Sequence, residues 1–263
     1  MLLTAAMRKF LPPVVHSLER RLRGSPFCGV VDSPDLGNHS SLWADPERIR
    51  GFENAVALMR ENPIPPSDIS SYNQLLLFFN MLSSTQLTVL DFAGGVGNSY
   101  FQLERFFYNK NGIEWHVVDC QPLIEAGRNL KLADDKVHFY ERIPDLNFDV
   151  VFVSSSMQYL YEPETLFEAF LNRKPRYLVF TRVPLSETKP FYMLQKEGRK
   201  GKKVTYKVHS FQFISQFFDQ RGYSLIYCNE APEDHYGRSW YKNVPVHLQV
   251  RRTKNLIFHC REI

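Results

Sequence analysis

The 263-residue chain lacks the marks of several protein classes. No apolar run approaches the ~20 residues that cross a bilayer as a helix. The four cysteines, Cys28, Cys120, Cys228 and Cys260, lie far apart and form no CxxC pair. That spacing argues against a zinc ribbon or a disulfide scaffold and suits a reducing compartment, so a cytoplasmic protein is expected. No histidine and carboxylate set shows metal-ligand spacing, since Asp234-His235 is too little, and no metal is expected. Internal repeats and low-complexity tracts are also missing. Charge of one sign is scarce in the body: residues 1–25 hold five basic residues against one acid, and the rest balances at 27 against 27. A neutral body argues against nucleic acid as a partner and agrees with a small-molecule or glycan one.

Hydrophobic residues make up 44% of the chain and charged residues 23%, which is enough for one sizeable core and excludes global disorder. The basic N-terminus starts apolar but breaks at Arg8-Lys9 and Pro12-Pro13, unlike a signal peptide. Val14, Val15, Leu18 and Leu22 then recur at helical spacing, so residues 1–25 could rest on the inner face of an anionic membrane or pack on the chain itself. Residues 1–70 read as a partly helical extension, with a helix over Pro46–Glu61 capped by Asp45 and a proline-rich linker over Asn62–Ser70. Residues 71–263 read as one domain. It begins with a helix at Tyr72–Leu82, and the basic run from Lys196 to Lys207 reads as a loop around Gly198 and Gly201.

From residue 87, short apolar runs alternate with helical patterns. Strands are predicted at Thr88–Phe92, Glu114–Val118, Val137–Tyr140, Val150–Ser154, Arg176–Thr181 and Ser224–Cys228. Helices are predicted at Ser99–Tyr108, Pro122–Asn129, Pro163–Leu171 and Ser210–Arg221, and two further strands at Val246–Val250 and Leu256–Cys260. Continuous apolar runs such as Val150–Val153 imply strands buried on both faces of a parallel sheet. The pattern predicts a doubly wound α/β domain, which binds ligands at the carboxyl ends of its strands.

The strongest local signal is Val89-Leu90-Asp91-Phe92-Ala93-Gly94-Gly95-Val96-Gly97-Asn98. An apolar strand ends in a carboxylate, turns through small residues and enters a helix, so the backbone can approach a ligand closely. A dinucleotide fingerprint starting at Gly95 would need Gly or Ala at position 100, where Tyr100 stands, and the frame from Ala93 meets Asn98. What remains resembles the first motif of class I S-adenosylmethionine-dependent methyltransferases, D/E-x-G-x-G-x-G. Here Ala93 replaces the first glycine and Gly94 is an additional one. The strand ending at Asp119 and the stretch Asn147–Leu160 resemble the second and fourth motifs of that superfamily.

The wording of Val89–Gln102, Trp115–Arg128, Ser154–Leu160 and Thr181–Leu185 is similar to a branch associated with bacterial surface-polysaccharide biosynthesis. The resemblance implies a Rossmann-like, mostly parallel seven-stranded sheet whose last strand is antiparallel, with helices on both faces and a helical N-terminal extension over the cofactor. It implies S-adenosyl-L-methionine held by Asp91, Ala93, Gly94, Gly95, Gly97 and Asn98. Asp119 would clamp the ribose, with Cys120 near the adenine and Ser154, Ser155 and Ser156 bordering the sulfonium. The implied activity is O-methylation of a saccharide or a nucleotide- or lipid-linked sugar.

A hydroxyl acceptor needs a base, and the candidates at the strand ends are His209 and His235 as bases, Tyr159, and Arg182 as a bidentate clamp. Each has a plainer role open to it, as a core aromatic, a helix-start histidine or a structural ion pair. A non-catalytic cofactor-binding or scaffold protein stays open beside the enzyme, and a nicotinamide oxidoreductase is a third reading.

Overall fold

The computed structural model describes residues 26–35, 43–61, 73–82, 86–109, 112–130, 135–187, 189–197, 202–231, 241, 243–250 and 252–261. His235, the N-terminal segment 1–25 and all of the proline-rich linker Asn62–Ser70 lie outside the described residues.

The elements in chain order are β1 (Phe27–Val31), α1 (Pro46–Glu61), α2 (Asn73–Leu82), β2 (Leu87–Phe92), α3 (Asn98–Leu103), β3 (Ile113–Val118), α4 (Gln121–Asn129), β4 (Val137–Tyr140) and β5 (Val150–Ser154). They continue with α5 (Glu164–Leu171), β6 (Tyr177–Val183), β7 (Leu185–Ser186), β8 (Phe191–Glu197), β9 (Lys202–Ser210), α6 (Phe211–Asp219), β10 (Tyr223–Glu230) and β11 (Lys254–Cys260).

Seven strands form the main sheet in the order β10-β11-β6-β5-β2-β3-β4. The pairs from β6 to β4 are all parallel, and β11 inserts antiparallel between β6 and β10. Both faces are covered. On one, Trp115 and Phe152 of the sheet meet Val56 of α1, Tyr100 and Phe101 of α3, and Ile124 of α4. On the other, Val151 and Phe180 meet Phe167 and Phe170 of α5 and Phe217 and Phe218 of α6. The fold is therefore the Rossmann-like one the alternation of elements implies. Local capping agrees: Glu47 N donates to Asp45 Oδ1 at 2.9 Å, and Phe213 N donates to Ser210 Oγ at 3.0 Å.

Three elements depart from the sequence reading. The basic run is not a loop: its two ends are β8 and β9, paired antiparallel from Phe191↔Val208 to Glu197↔Lys202. Together with β1 and β7 they make a second, four-stranded sheet. Its core gathers Phe27, Met193, Tyr206 and Val208. The charges concealed a period-2 alternation, Val204-Thr205-Tyr206-Lys207-Val208. Val246–Val250 is not a strand but a 3-10 turn over Val246–Leu248 that follows Pro245 and leaves Val246 exposed. The helix expected over Ser99–Tyr108 stops at Leu103 and tightens into a 3-10 turn, Glu104–Phe106.

Candidate functional site

A cavity of about 590 Å³ opens where four central strands end, and strand-end crevices are where doubly wound sheets bind ligands. Ala93, Gly94, Gly95 and Asn98 follow β2, Asp119 follows β3, Ser154–Ser156 end β5, and Arg182 lies near the end of β6. Part of the remaining wall comes from before the sheet: Trp43, with Arg48 and Phe52 one turn apart on α1. The Arg48 guanidinium lies 4.1 Å from the Trp43 ring centroid, and Trp43 meets Tyr159 edge-on at 5.1 Å.

Backbone strain concentrates at this wall. Ala93, Ser155 and Arg182 all take left-handed φ values of 54–56°, although none is glycine. Arg182 sits at an irregularity in the β6–β11 pairing, between Phe180↔Leu256 and Val183↔Lys254, and its amide donates to Asn255 Oδ1 at 3.0 Å. Such a bulge re-aims one side chain, here toward the cavity. Ala93 N donates to Val118 O at 2.8 Å, which ties the turn to β3. A left-handed alanine costs about 1–2 kcal/mol, whereas glycine is free there but loses more entropy on folding. Ala93→Gly is thus expected to stabilise the chain by about 0.5–1 kcal/mol. A rise in urea midpoint at unchanged m-value would check it.

The two carboxylates differ in their partners. Asp119 Oδ2 accepts from Gly95 N at 2.8 Å and Oδ1 from Cys120 N at 2.7 Å, so the side chain holds the glycine turn against the end of β3. Burial nevertheless raises its pKa, with both backbone bonds opposing. Asp91 is fully buried, and burial pushes its carboxyl up to about 7, against the stabilising Trp115 bond. Trp115 Nε1 donates to Oδ2 at 2.9 Å, while Oδ1 has no hydrogen-bond partner among the described residues. Asn98 Oδ1 is likewise buried without one. Two orphaned acceptors on one cavity wall fit a ligand that brings donors or positive charge.

The glycines divide by cause. A Cβ on Gly94 would stand 2.6 Å from the Asp91 carboxylate, so the additional glycine of the motif is a matter of space. Gly95 has a φ of +63° and nothing within 4 Å of its would-be Cβ, which leaves its backbone open to a ligand.

Of the cofactor set read from the sequence, Asp91, Ala93, Gly94, Gly95, Asn98, Asp119, Ser154 and Ser155 line the cavity. Gly97 instead turns the chain behind the wall at a φ of 88°, and Cys120 serves through its amide on Asp119. Of the catalytic set, Tyr159 and Arg182 reach the wall. Tyr159 donates its phenol proton to Gln195 Oε1 of β8 at 3.2 Å, which brings the second sheet to the cavity rim.

His209 does not reach the wall. It is 1% exposed on β9, with Nε2 bonded to Met157 O at 2.7 Å. Burial, with Lys207 adding to it, lowers its pKa to about 3. A buried imidazole that spends its nitrogen on a backbone carbonyl is a packing group, so His209 is removed from the candidate bases. Trp43, Arg48 and Phe52 escaped the sequence reading, though the i, i+4 spacing of the last two did mark one helix face.

No family model matches this sequence. No curated protein matches it either. Solved structures do match in fold. Magnesium protoporphyrin IX methyltransferase from Synechocystis PCC 6803, with bound SAH, is 12% identical with a TM-score of 0.51 over 84% of this chain and 100% of its own. A Listeria monocytogenes protein assigned to the S-adenosylmethionine-dependent methyltransferases is 15% identical, TM-score 0.51, over 73% of this chain and 98% of its own. What the chain shares with them is the Rossmann-like sheet.

Proposed function

We propose that the chain is an S-adenosylmethionine-dependent methyltransferase. One observation carries this reading: the strained small-residue turn and Asp119 meet at the ends of adjacent central strands, beside orphaned acceptors. The lining suits a zwitterionic, partly cationic ligand, since it holds Asp91 and Asp119 together with Arg48 and Arg182. S-adenosylmethionine would supply an electrophilic methyl group on a sulfonium. Asp91 Oδ1 and Asn98 Oδ1 would accept from its ammonium, and Gly95 would let the backbone approach closely. Each Asp119 oxygen keeps a second lone pair for a ribose hydroxyl beyond the backbone amide it already binds.

The acceptor would enter past Trp43, Tyr159 and Arg182. The finer reading is O-methylation of a saccharide or a nucleotide- or lipid-linked sugar; it rests on the sequence resemblance and on Arg182, whose planar guanidinium suits a phosphate-bearing acceptor. Tyr159 would position the acceptor hydroxyl through its Gln195-linked phenol. With His209 packed away, His235 is the base candidate that stays open, outside the described residues. The same loss keeps the non-catalytic binder as a second reading, which predicts cofactor binding without turnover on any glycan.

Calorimetric titration with S-adenosylhomocysteine and, in parallel, NADH tests the cofactor. Micromolar binding of the first alone is expected, weakened at least tenfold in Asp119→Ala, because charge-assisted bonds are worth about 1.5–3 kcal/mol each. NADH binding, or indifference to the substitution, would overturn the assignment.

A further inference from the structure

We propose a divalent transition-metal site built by Glu114 and His116 of β3 and His138 of β4, a constellation separate from the cavity. Side chains alternate along a strand, so Glu114 and His116 share the face of β3 opposite Trp115. The parallel register places His138 directly beside His116, with ring centroids 4.8 Å apart. One ligand atom from each of the three residues lies within 4.8 Å of the others.

His116 points to a ligand independently. It is 4% exposed, yet its Nε2 has no hydrogen-bond partner among the described residues. The Glu114 carboxylate stands 3.9 Å from that nitrogen, too far for a hydrogen bond. Its other nitrogen, Nδ1, lies 3.3 Å from the Tyr140 hydroxyl. With the proton on Nδ1 and donated to Tyr140, Nε2 turns a bare lone pair toward a carboxylate. A cation resolves that arrangement, and an outer hydrogen bond on the second nitrogen is how metal-bound imidazoles are usually oriented.

Tetrahedral zinc ligands at about 2.1 Å lie about 3.4 Å apart, so the half-buried His138 and Glu114 side chains need to close by roughly an ångström. The connection from β4 to β5, residues 141–149, holds no helix, and its Phe148 packs edge-on against the His116 ring at 5.3 Å, so a cation would enter past the half-buried His138 and Glu114 side chains. Two imidazoles and one carboxylate select a borderline cation such as Zn²⁺ or Co²⁺ over Mg²⁺ or Ca²⁺. Bound there, it would staple the edge strand β4 to β3. Tyr140 O on that strand accepts the Asp119 amide at 3.2 Å, so the staple would support the cavity from behind. Spacing in the sequence could not show this, because the third ligand comes from another strand.

The test is titration of the untagged, chelator-treated full chain with Co²⁺, then Zn²⁺. One equivalent of Co²⁺ should give visible d–d absorption that Zn²⁺ abolishes, with a rise in melting temperature. His138→Ala and Glu114→Gln should each weaken Zn²⁺ at least tenfold while leaving the far-ultraviolet dichroism unchanged. Should His138→Ala misfold, Glu114→Gln at a half-buried carboxylate decides. No stoichiometric binding, or binding equal to wild type in the folded variants, would overturn the site.

Discussion

Asp91→Asn is expected to yield a chain that is more stable at pH 8 and that binds S-adenosylhomocysteine, the product of the proposed reaction, one to two orders of magnitude more weakly. The native carboxyl is pushed up to about 7 by complete burial, from the ordinary aspartate value of 3.8 in the unfolded chain. Between those values the native state holds a proton the unfolded state has lost, so wild-type stability falls as pH rises from about 4 to 7. Above pH 7 the ionised, buried Asp91 costs on the order of 3 kcal/mol, allowing for relaxation around it. Asparagine keeps an oxygen for Trp115 and cannot ionise, so its advantage is full above pH 7 and vanishes below about pH 4. Urea unfolding of both forms at pH 4 and pH 8 measures this directly. The opposite outcome, equal destabilisation by asparagine at both pH values, would mean that Asp91 is ionised and stabilising in the folded chain.

Binding should move the other way. A ligand that places an ammonium against Asp91 Oδ1 favours the carboxylate, so wild-type affinity for S-adenosylhomocysteine should rise between pH 6 and 8 with proton release. In Asp91→Asn that slope should disappear, and affinity should drop by one to two orders of magnitude, since a charged hydrogen bond is worth about 1.5–3 kcal/mol. A site that destabilises the apo fold and acts only on its ligand is a common trade of stability for function.

Gly94→Ala and Gly95→Ala, neighbours in the same turn, should fail differently. The new methyl at 94 would sit 2.6 Å from the Asp91 carboxylate, a buried group that cannot swing away without breaking its Trp115 bond. A loss of about 2–4 kcal/mol is expected, together with cofactor binding, as for overpacking beside a buried polar network. At 95 no described residue beyond the chain neighbours is within 4 Å of the new methyl, so the structural penalty is the left-handed φ of +63°, about 1–2 kcal/mol. The methyl there enters the cavity, and affinity should fall at least tenfold while the chain stays folded. Thermal unfolding and calorimetry on the pair separate the two causes. Equal stability losses would show that crowding at Gly94 is not the constraint.

Much of the scaffold was legible because its signals are local. Val150–Val153 announces a strand buried on both faces by composition alone, and β5 lies at the centre of the sheet. Asp45 and Ser210 mark helix starts because a cap acts within three residues. The hairpin of β8 and β9 was hidden because lysines alternate with its apolar residues and obscure the pattern. Val246–Val250 shows the reverse error: three apolar residues at period two, with no strand partner among the described residues.

The sequence by itself determined the alternating strands and helices of the main sheet, the small-residue turn after Asp91 and the carboxylate ending β3, all consequences of residues close in the chain. Tertiary structure alone decided that α1 brings Arg48 and Phe52 to the cavity, that a bulge turns Arg182 toward it, and that His209 is packed against Met157 instead. It also decided that Gly94 must be glycine to clear Asp91 and that His138 meets Glu114 and His116. Each of these depends on which distant segments are brought into register. Registers are set by the burial of whole faces, a sum over many residues that no short stretch of sequence contains.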